Sequence, residues 1–221
     1  MVKGESKARS ELTRQRIVEA TIDVLVDAGF ANTTMRSVAA RATTSVGAVQ
    51  YHFPSKQALL LETLTEIFQE GIERLSALAE SEARTQPRAH RIVRSLWAFY
   101  SGRRYLAASE ILLGTRKEPD ASRPVLRARD LLTRTYQTAW DLAVAGSPLP
   151  SDQRLILLQL TTSTLRGLGI LAVHESDPGY FEPQLLALEG LVEQALASGS
   201  LPQPAESVAA AAARPRRFAV V

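Results

Sequence analysis

AARATTSVGAVQYHFPSK, Ala39 to Lys56, decides the fold. Two short apolar-periodic segments flank a polar turn at Thr43, Thr44 and Ser45, and Pro54 closes the second before a new helix start at Ser55. Hydroxyl oxygens at such a turn accept from the orphan amides of the next helix, and Val49 and Phe53, four apart, share an inward face. Two helices on this spacing are how a small domain sets one of them into the DNA major groove. The remaining positions, Val46, Gly47, Ala48, Gln50, Tyr51 and His52, mix small, apolar and hydrogen-bonding groups, as a groove-facing surface requires.

Upstream, Ile17, Ala20, Thr21, Val24, Leu25 and Ala28 recur every three or four residues, which predicts a helix with a continuous apolar stripe that stops at Gly29 in a left-handed conformation. Asn32, Thr33 and Thr34 offer caps to a second helix whose buried face is Met35, Val38, Ala39 and Ala42. At about two turns, that helix is too short to stand alone. The three helices make a compact head.

This head closely resembles the TetR family of transcriptional repressors, most strongly from Arg14 to Leu64. The resemblance rests on Gly29-Phe30, Thr33-Thr34, Gln50-Tyr51-His52-Phe53, Pro54, Ser55 and Lys56. The chain departs from the family at Thr43, where a glycine is common and its loss predicts a turn without a left-handed glycine, and at Gln50, where many members carry an aromatic. By the resemblance, Val46, Gly47, Ala48 and Gln50 are base-reading positions, and glutamine suits adenine N6 and N7. Thr34, Arg36, Tyr51, His52 and Lys56 match backbone-contacting positions, with groups suited to phosphate oxygens.

Charge agrees. The first 60 residues hold eight Lys or Arg and five Asp or Glu, a net +3 equal to that of the whole 221-residue chain. Lys3, Lys7, Arg9, Arg14 and Arg16 are expected to form a mobile arm that lies along a phosphate backbone or in a minor groove.

After the head the sequence continues as helices: one from Ser55 to about Ser81, a break at 85–87, then His90–Ser101 and Arg104–Gly114 with a bend near Gly102. Pro119–Pro124 is expected to separate these from a helix at Val125–Val144, and Gly146–Pro150 reads as a loop. The last two helices, Asp152–His174 and Phe181–Leu196, are more apolar than one face in a small core requires, which predicts self-association as a homodimer through Leu158, Leu165, Leu168, Leu185, Leu188, Leu191 and Val192, the alternative being that both helices pack inside one subunit. The resemblance implies the same dimer, with heads on successive major-groove faces about 34 Å apart. It also implies an effector cavity in the middle helices. Candidate lining residues are Trp97, Phe99, Tyr100, Tyr105, Leu112, Leu113, Tyr136, Trp140 and Thr164, a set suited to a small apolar or aromatic molecule, with His90, Arg103, Arg104, Glu110 and Arg166 as polar partners. From Gly199 onward an irregular tail is expected, with an alanine run at 209–213 and a basic group at Arg214, Arg216 and Arg217.

The expected architecture is all-α, about nine helices, with residues 1–54 as a helix-turn-helix DNA-binding domain and 55–221 as an effector-binding and dimerisation domain. The expected partners are double-stranded DNA, a second copy of the chain and a small effector. Cysteine is absent, the N-terminus is too charged for a signal peptide, and no apolar run reaches the roughly 20 residues of a membrane span, so a cytoplasmic setting without membrane contact is expected. No nucleophile elbow, zincin, phosphate-loop or calcium-loop motif occurs, and three scattered histidines do not suggest a metal centre; neither catalysis nor a cofactor is expected. The competing readings are a helical protein-interaction module with a vestigial head and, less favoured, an enzyme whose site is built only by tertiary structure.

Overall fold

The computed structural model of the chain describes residues 2–80, 88–117, 119–175 and 177–201. The expected break at 85–87, the alanine run and the cluster of Arg214, Arg216 and Arg217 lie outside the described residues, as do the side chains of Lys3 and Lys7. The described chain is all-α, with nine helices: α1 (Val2–Asn32), α2 (Met35–Arg41), α3 (Val46–His52), α4 (Lys56–Glu80), α5 (Arg88–Tyr100), α6 (Arg103–Gly114), α7 (Pro119–Ala143), α8 (Ser151–Leu171) and α9 (Glu182–Ser198).

The head forms because α1 presents Ile17, Val18, Thr21, Ile22 and Leu25 to Val38 and Ala39 of α2 and to Val49 and Phe53, all of them buried. Ala28, read as part of the stripe, is exposed. α1 kinks at Gly29 (φ 78°, ψ 170°), a backbone state reserved for glycine, and the chain turns there toward α2. The basic arm is not an arm: the backbone is helical from Val2. Arg14 ion-pairs with Glu62 and Glu66 on α4, and Arg16 donates to the Ala42 carbonyl at 2.7 Å, closing the C-terminus of α2.

In the body, α4 packs against α7, while α5 lies between α4, α8 and α9. Ile92, Leu96, Phe99 and Tyr100 of α5 are buried there. Arg94 of α5 bridges Glu182 and Glu189 of α9, at 2.6 and 2.5 Å, and His90 meets Glu189 at 2.9 Å. The bend between α5 and α6 falls at Gly102, as the spacing predicts. Pro119 and Pro124 do not separate helices; α7 starts at Pro119 and runs through Pro124. Proline at a first helical position forfeits an amide that has no partner anyway, which accounts for Pro119, whereas Pro124 lies inside the helix and forgoes one backbone bond.

The leucines assigned to a dimer interface are mostly inside the protomer. Leu158, Leu165, Leu185, Leu188 and Val192 are buried and Leu168 is half-buried within a protomer in which α8 and α9 both pack on α5 and on each other; of that set only Leu191 is exposed. The apolar residues that α8 and α9 leave uncovered are others: Ile156, Leu160, Ile170 and Leu171 on α8, and Leu186 beside Leu191 on α9.

Head and body meet at Phe30. Its amide donates to Glu110 Oε2 of α6 at 2.9 Å, and its ring lies against Gly114, where an added Cβ would sit 2.1 Å from Phe30 Cγ. Arg103 of α6 reaches Asp23 and Asp27 of α1 at 3.0 and 2.9 Å, and Arg41 of α2 shares the same two carboxylates. Hydrogen bonds from Arg41 and then Arg103 hold the Asp27 carboxyl below its usual range. Arg104 pairs with Glu19 of α1 and Glu70 of α4. Gly114→Ala should therefore force the Phe30 ring out of its seat and destabilise the chain by ~1–3 kcal/mol, the usual cost of overpacking. Thermal unfolding followed by circular dichroism should show a midpoint several degrees lower; an unchanged midpoint would mean the junction accommodates a methyl group.

Candidate nucleic-acid interface and effector cavity

Each short helix of the head is fixed at its ends. At the N-terminus of α2 the Ser37 amide donates to Thr34 Oγ1 at 3.0 Å and the Thr34 amide donates to Ser37 Oγ at 2.8 Å, a reciprocal cap. At its C-terminus the Thr43 amide donates to Ala40 O and the Thr44 amide to Ala39 O, the paired bonds of a Schellman turn. Thr43 itself takes the left-handed conformation, φ 52°, that glycine adopts without strain. The turn thus keeps its left-handed geometry although it lacks the glycine. Ser45 caps α3 by accepting from the Ala48 amide at 3.0 Å, and Ser55 does the same for α4 with Ala58. Caps of this kind contribute ~1 kcal/mol each. Burial of Val49 and Phe53, about 1.5–3 kcal/mol apiece, seats α3 on the head.

With that face seated, the opposite one looks outward. Gly47 and Gln50 are exposed, Tyr51 is 83% exposed, Ala48 and His52 are half-exposed, and Val46 packs partly against the core. Tyr51 and His52 meet edge-to-face with ring centres 5.2 Å apart. Arg36 is exposed on α2. The Thr34 hydroxyl is committed to its cap. Lys56 lies with Nζ 4.3 Å from the centre of the Phe30 ring and 3.3 Å from the Phe30 carbonyl oxygen, so it also ties α4 to the end of α1. Sequence spacing alone could not show that second attachment, because Phe30 is 26 residues away.

Behind the head, a cavity of about 310 Å³ opens between α4, the end of α5, α6, α7 and α8. Of the nine lining candidates it is walled by Tyr100, Tyr105, Leu112 and Tyr136. The others go elsewhere: Trp97 stacks on Phe181, Phe99 packs against Gly71 and the neighbouring tyrosines, Trp140 is buried in the core, and Leu113 and Thr164 are exposed. Of the polar candidates, Arg166 lines the cavity. His90, Arg103, Arg104 and Glu110 are engaged in the ion pairs and hydrogen bond already described. Sequence reasoning missed Phe68, Arg129, Asp130, Leu132, Thr133, Gln137, Leu158, Gln159, Thr162 and Ser163. They come from three helices remote in sequence, and most are polar residues whose periodicity matches a solvent-facing helix side. Tyr100 donates to Tyr136 at 3.4 Å and stands edge-to-face with Tyr105, ring centres 4.7 Å apart. No group of three or more metal-ligating side chains occurs among the described residues, and none of the described helices is long and apolar enough to cross a membrane.

Residues 17–63 match the family described as bacterial regulatory proteins, tetR family. The regulator CymR of Pseudomonas putida is 21% identical over 174 residues, covering 79% of this chain and 86% of that protein. The regulator BetI of Paraburkholderia xenovorans is 32% identical over 79 residues, 36% of this chain and 40% of BetI. Among solved structures, the multidrug binding protein EbrR complexed with imidazole superposes with a TM-score of 0.53 at 24% identity, covering 88% of this chain and 97% of that one. FadR from Bacillus subtilis in complex with stearoyl-CoA gives 0.60 at 16% identity, covering 84% and 98%. At these identities the structures share the fold.

The left-handed Thr43 gives a direct test of the turn. Thr43→Gly should relieve strain of order 1–3 kcal/mol, offset by about 0.5–1 kcal/mol of added chain entropy. A net gain of ~1 kcal/mol raises the melting midpoint by roughly 2–4 °C. A lower midpoint would show that the threonine side chain stabilises the turn.

Proposed function

We propose that this chain, whose residues 17–63 match the tetR family of bacterial regulatory proteins, is a transcriptional regulator of that family, that it represses transcription by binding a palindromic operator as a homodimer, and that it changes its DNA affinity when a small molecule occupies the body. The observation that carries this reading is the outer face of α3. Gln50 and Tyr51 project from a helix whose opposite face is locked by Val49 and Phe53, which is how a rigid reading head is made. A head retained only for packing would have no use for that combination.

Gln50, with Gly47, Ala48 and Val46, reads base edges; Tyr51, His52 and Arg36 hold phosphates. Lys56 adds charge to the same edge while bracing Phe30, and Thr34 contributes through its cap. Dimerisation uses the uncovered apolar face of α8 and α9, Ile156, Leu160, Ile170, Leu186 and Leu191, in place of the buried leucines. Signal transfer runs through α6. This helix supplies Tyr105 and Leu112 to the cavity wall and holds α1 through Glu110, Arg103 and the Gly114 seat. An occupant that binds one tilt of α6 more tightly than another shifts the spacing of the two heads, and only that difference in affinity produces a response.

Selection from a random duplex pool should yield an inverted repeat bound far more tightly than scrambled DNA. On that operator, Arg36→Ala should weaken all sequences alike and lower the salt slope by about 1, whereas Gln50→Ala should lose about 1–3 kcal/mol of discrimination at one base pair per half-site. Uniform weakening by both would remove the reading role from Gln50. In sedimentation, Leu160→Glu should give a folded monomer, and a dimer that survives this change would move the interface off α8.

A further inference from the structure

The cavity behind the head carries one charge that nothing cancels. Arg166 enters it from α8 with its guanidinium carbon 5.5 Å from the centre of the Tyr100 ring, and its Nε is buried without a hydrogen-bond partner. Among the described lining residues the one carboxylate is Asp130, an exposed group held by Arg129 at 2.7 Å. Burial pushes the Tyr105 and Tyr136 hydroxyls above their usual range, so both stay neutral and neither offsets the guanidinium. Arginine cannot shed its proton to escape the cost, and a desolvated cation without a partner is costly to a fold. The guanidinium is half-buried and its polar partner is the neutral Tyr100 hydroxyl rather than a carboxylate; it borders open volume, about 310 Å³, at the small end of the ~300–1,000 Å³ of small-molecule sites.

We propose that the effector is a small organic monocarboxylate, its anionic head on Arg166 and its apolar body between Tyr100, Tyr105, Phe68 and Leu112. The planar guanidinium forks onto a carboxylate, and the Tyr136 hydroxyl, which accepts from Tyr100, keeps its own hydrogen to donate. One uncompensated cation selects a monoanion over a phosphate, whose second charge would find Arg129 already paired. The volume admits a single ring or a short chain. This assignment rests on the reading of the cavity as the effector site, and it adds an anionic head to the small apolar or aromatic molecule that the aromatic cluster suggests.

The full chain should be titrated calorimetrically with benzoate and hexanoate, their neutral counterparts benzamide and hexanamide, and the cation benzylamine. The carboxylates should bind about 10- to 100-fold more tightly than the amides, benzylamine should not bind, and Arg166→Gln should erase the difference. Arg166→Met, without any ligand, should melt at a higher temperature than the parent chain, since it removes a half-buried charge that no carboxylate offsets; a structural arginine would give a lower one. Amides equal to carboxylates, a preference that survives in R166Q, no carboxylate bound, or a destabilised R166M would each overturn the proposal. Operator release separates it from the regulatory reading. Carboxylates that bind through Arg166 without altering DNA affinity support the anion site and sink the regulatory role, whereas neutral compounds that release DNA equally from the parent and R166Q sink the anion site and keep that role.

Discussion

Phe30 is the joint on which the molecule depends. It follows the kink at Gly29, so the end of α1 can leave the helix and place one aromatic ring against α6 at Gly114. Its amide goes to Glu110, its carbonyl and ring face receive Lys56, and three helices far apart in the chain, α1, α4 and α6, therefore converge on one residue. The carboxylates Asp23 and Asp27 extend this joint sideways to Arg41 of α2. Single exposed ion pairs contribute little, but these share partners across α1, α2 and α6 and so resist independent movement of any one helix. The ring seat supplies the rigidity, and the charge network keeps the head from rotating about it.

The parts of this architecture set by local rules could be read before the fold was known. Val49 and Phe53 four apart, hydroxyls at Thr34, Ser45 and Ser55, and a glycine after an apolar stripe are decided within one or two helical turns. What failed were judgements about which neighbour an apolar or charged group meets. α8 and α9 are rich in leucine on more than one side, and composition cannot tell the side that faces α5 from the side that faces outward, so Leu158 and Leu165 were assigned outward when they are core. Arg14 and Arg16 read in sequence as part of a mobile basic arm, yet their partners lie on α4 and at the end of α2. Thr43 shows a third kind of failure: the residue changed and the backbone did not, because both Schellman bonds and the burial of Ala42 hold the turn in place.

The cavity was legible only as a tyrosine cluster. Tyr100 and Tyr105 sit on adjacent helices joined by a tight bend, a proximity the sequence does show. The polar wall comes from α7 and α8, twenty to sixty residues further on, where Gln137, Gln159 and Ser163 are indistinguishable in sequence from ordinary surface. Aromatic residues therefore marked the place but misrepresented its character, since the group with the largest electrostatic consequence there is Arg166.

The outer face of α3 has a consequence for how such a protein changes over time. An added Cβ at Gly47 would have Ser45 Oγ, 3.9 Å away, as its nearest neighbour, and Gln50 and Tyr51 are exposed. Residues on this face can accordingly be exchanged one at a time without disturbing the core that holds α3. On the proposed reading, a change there would alter the address on DNA and leave the cavity in the body as it was.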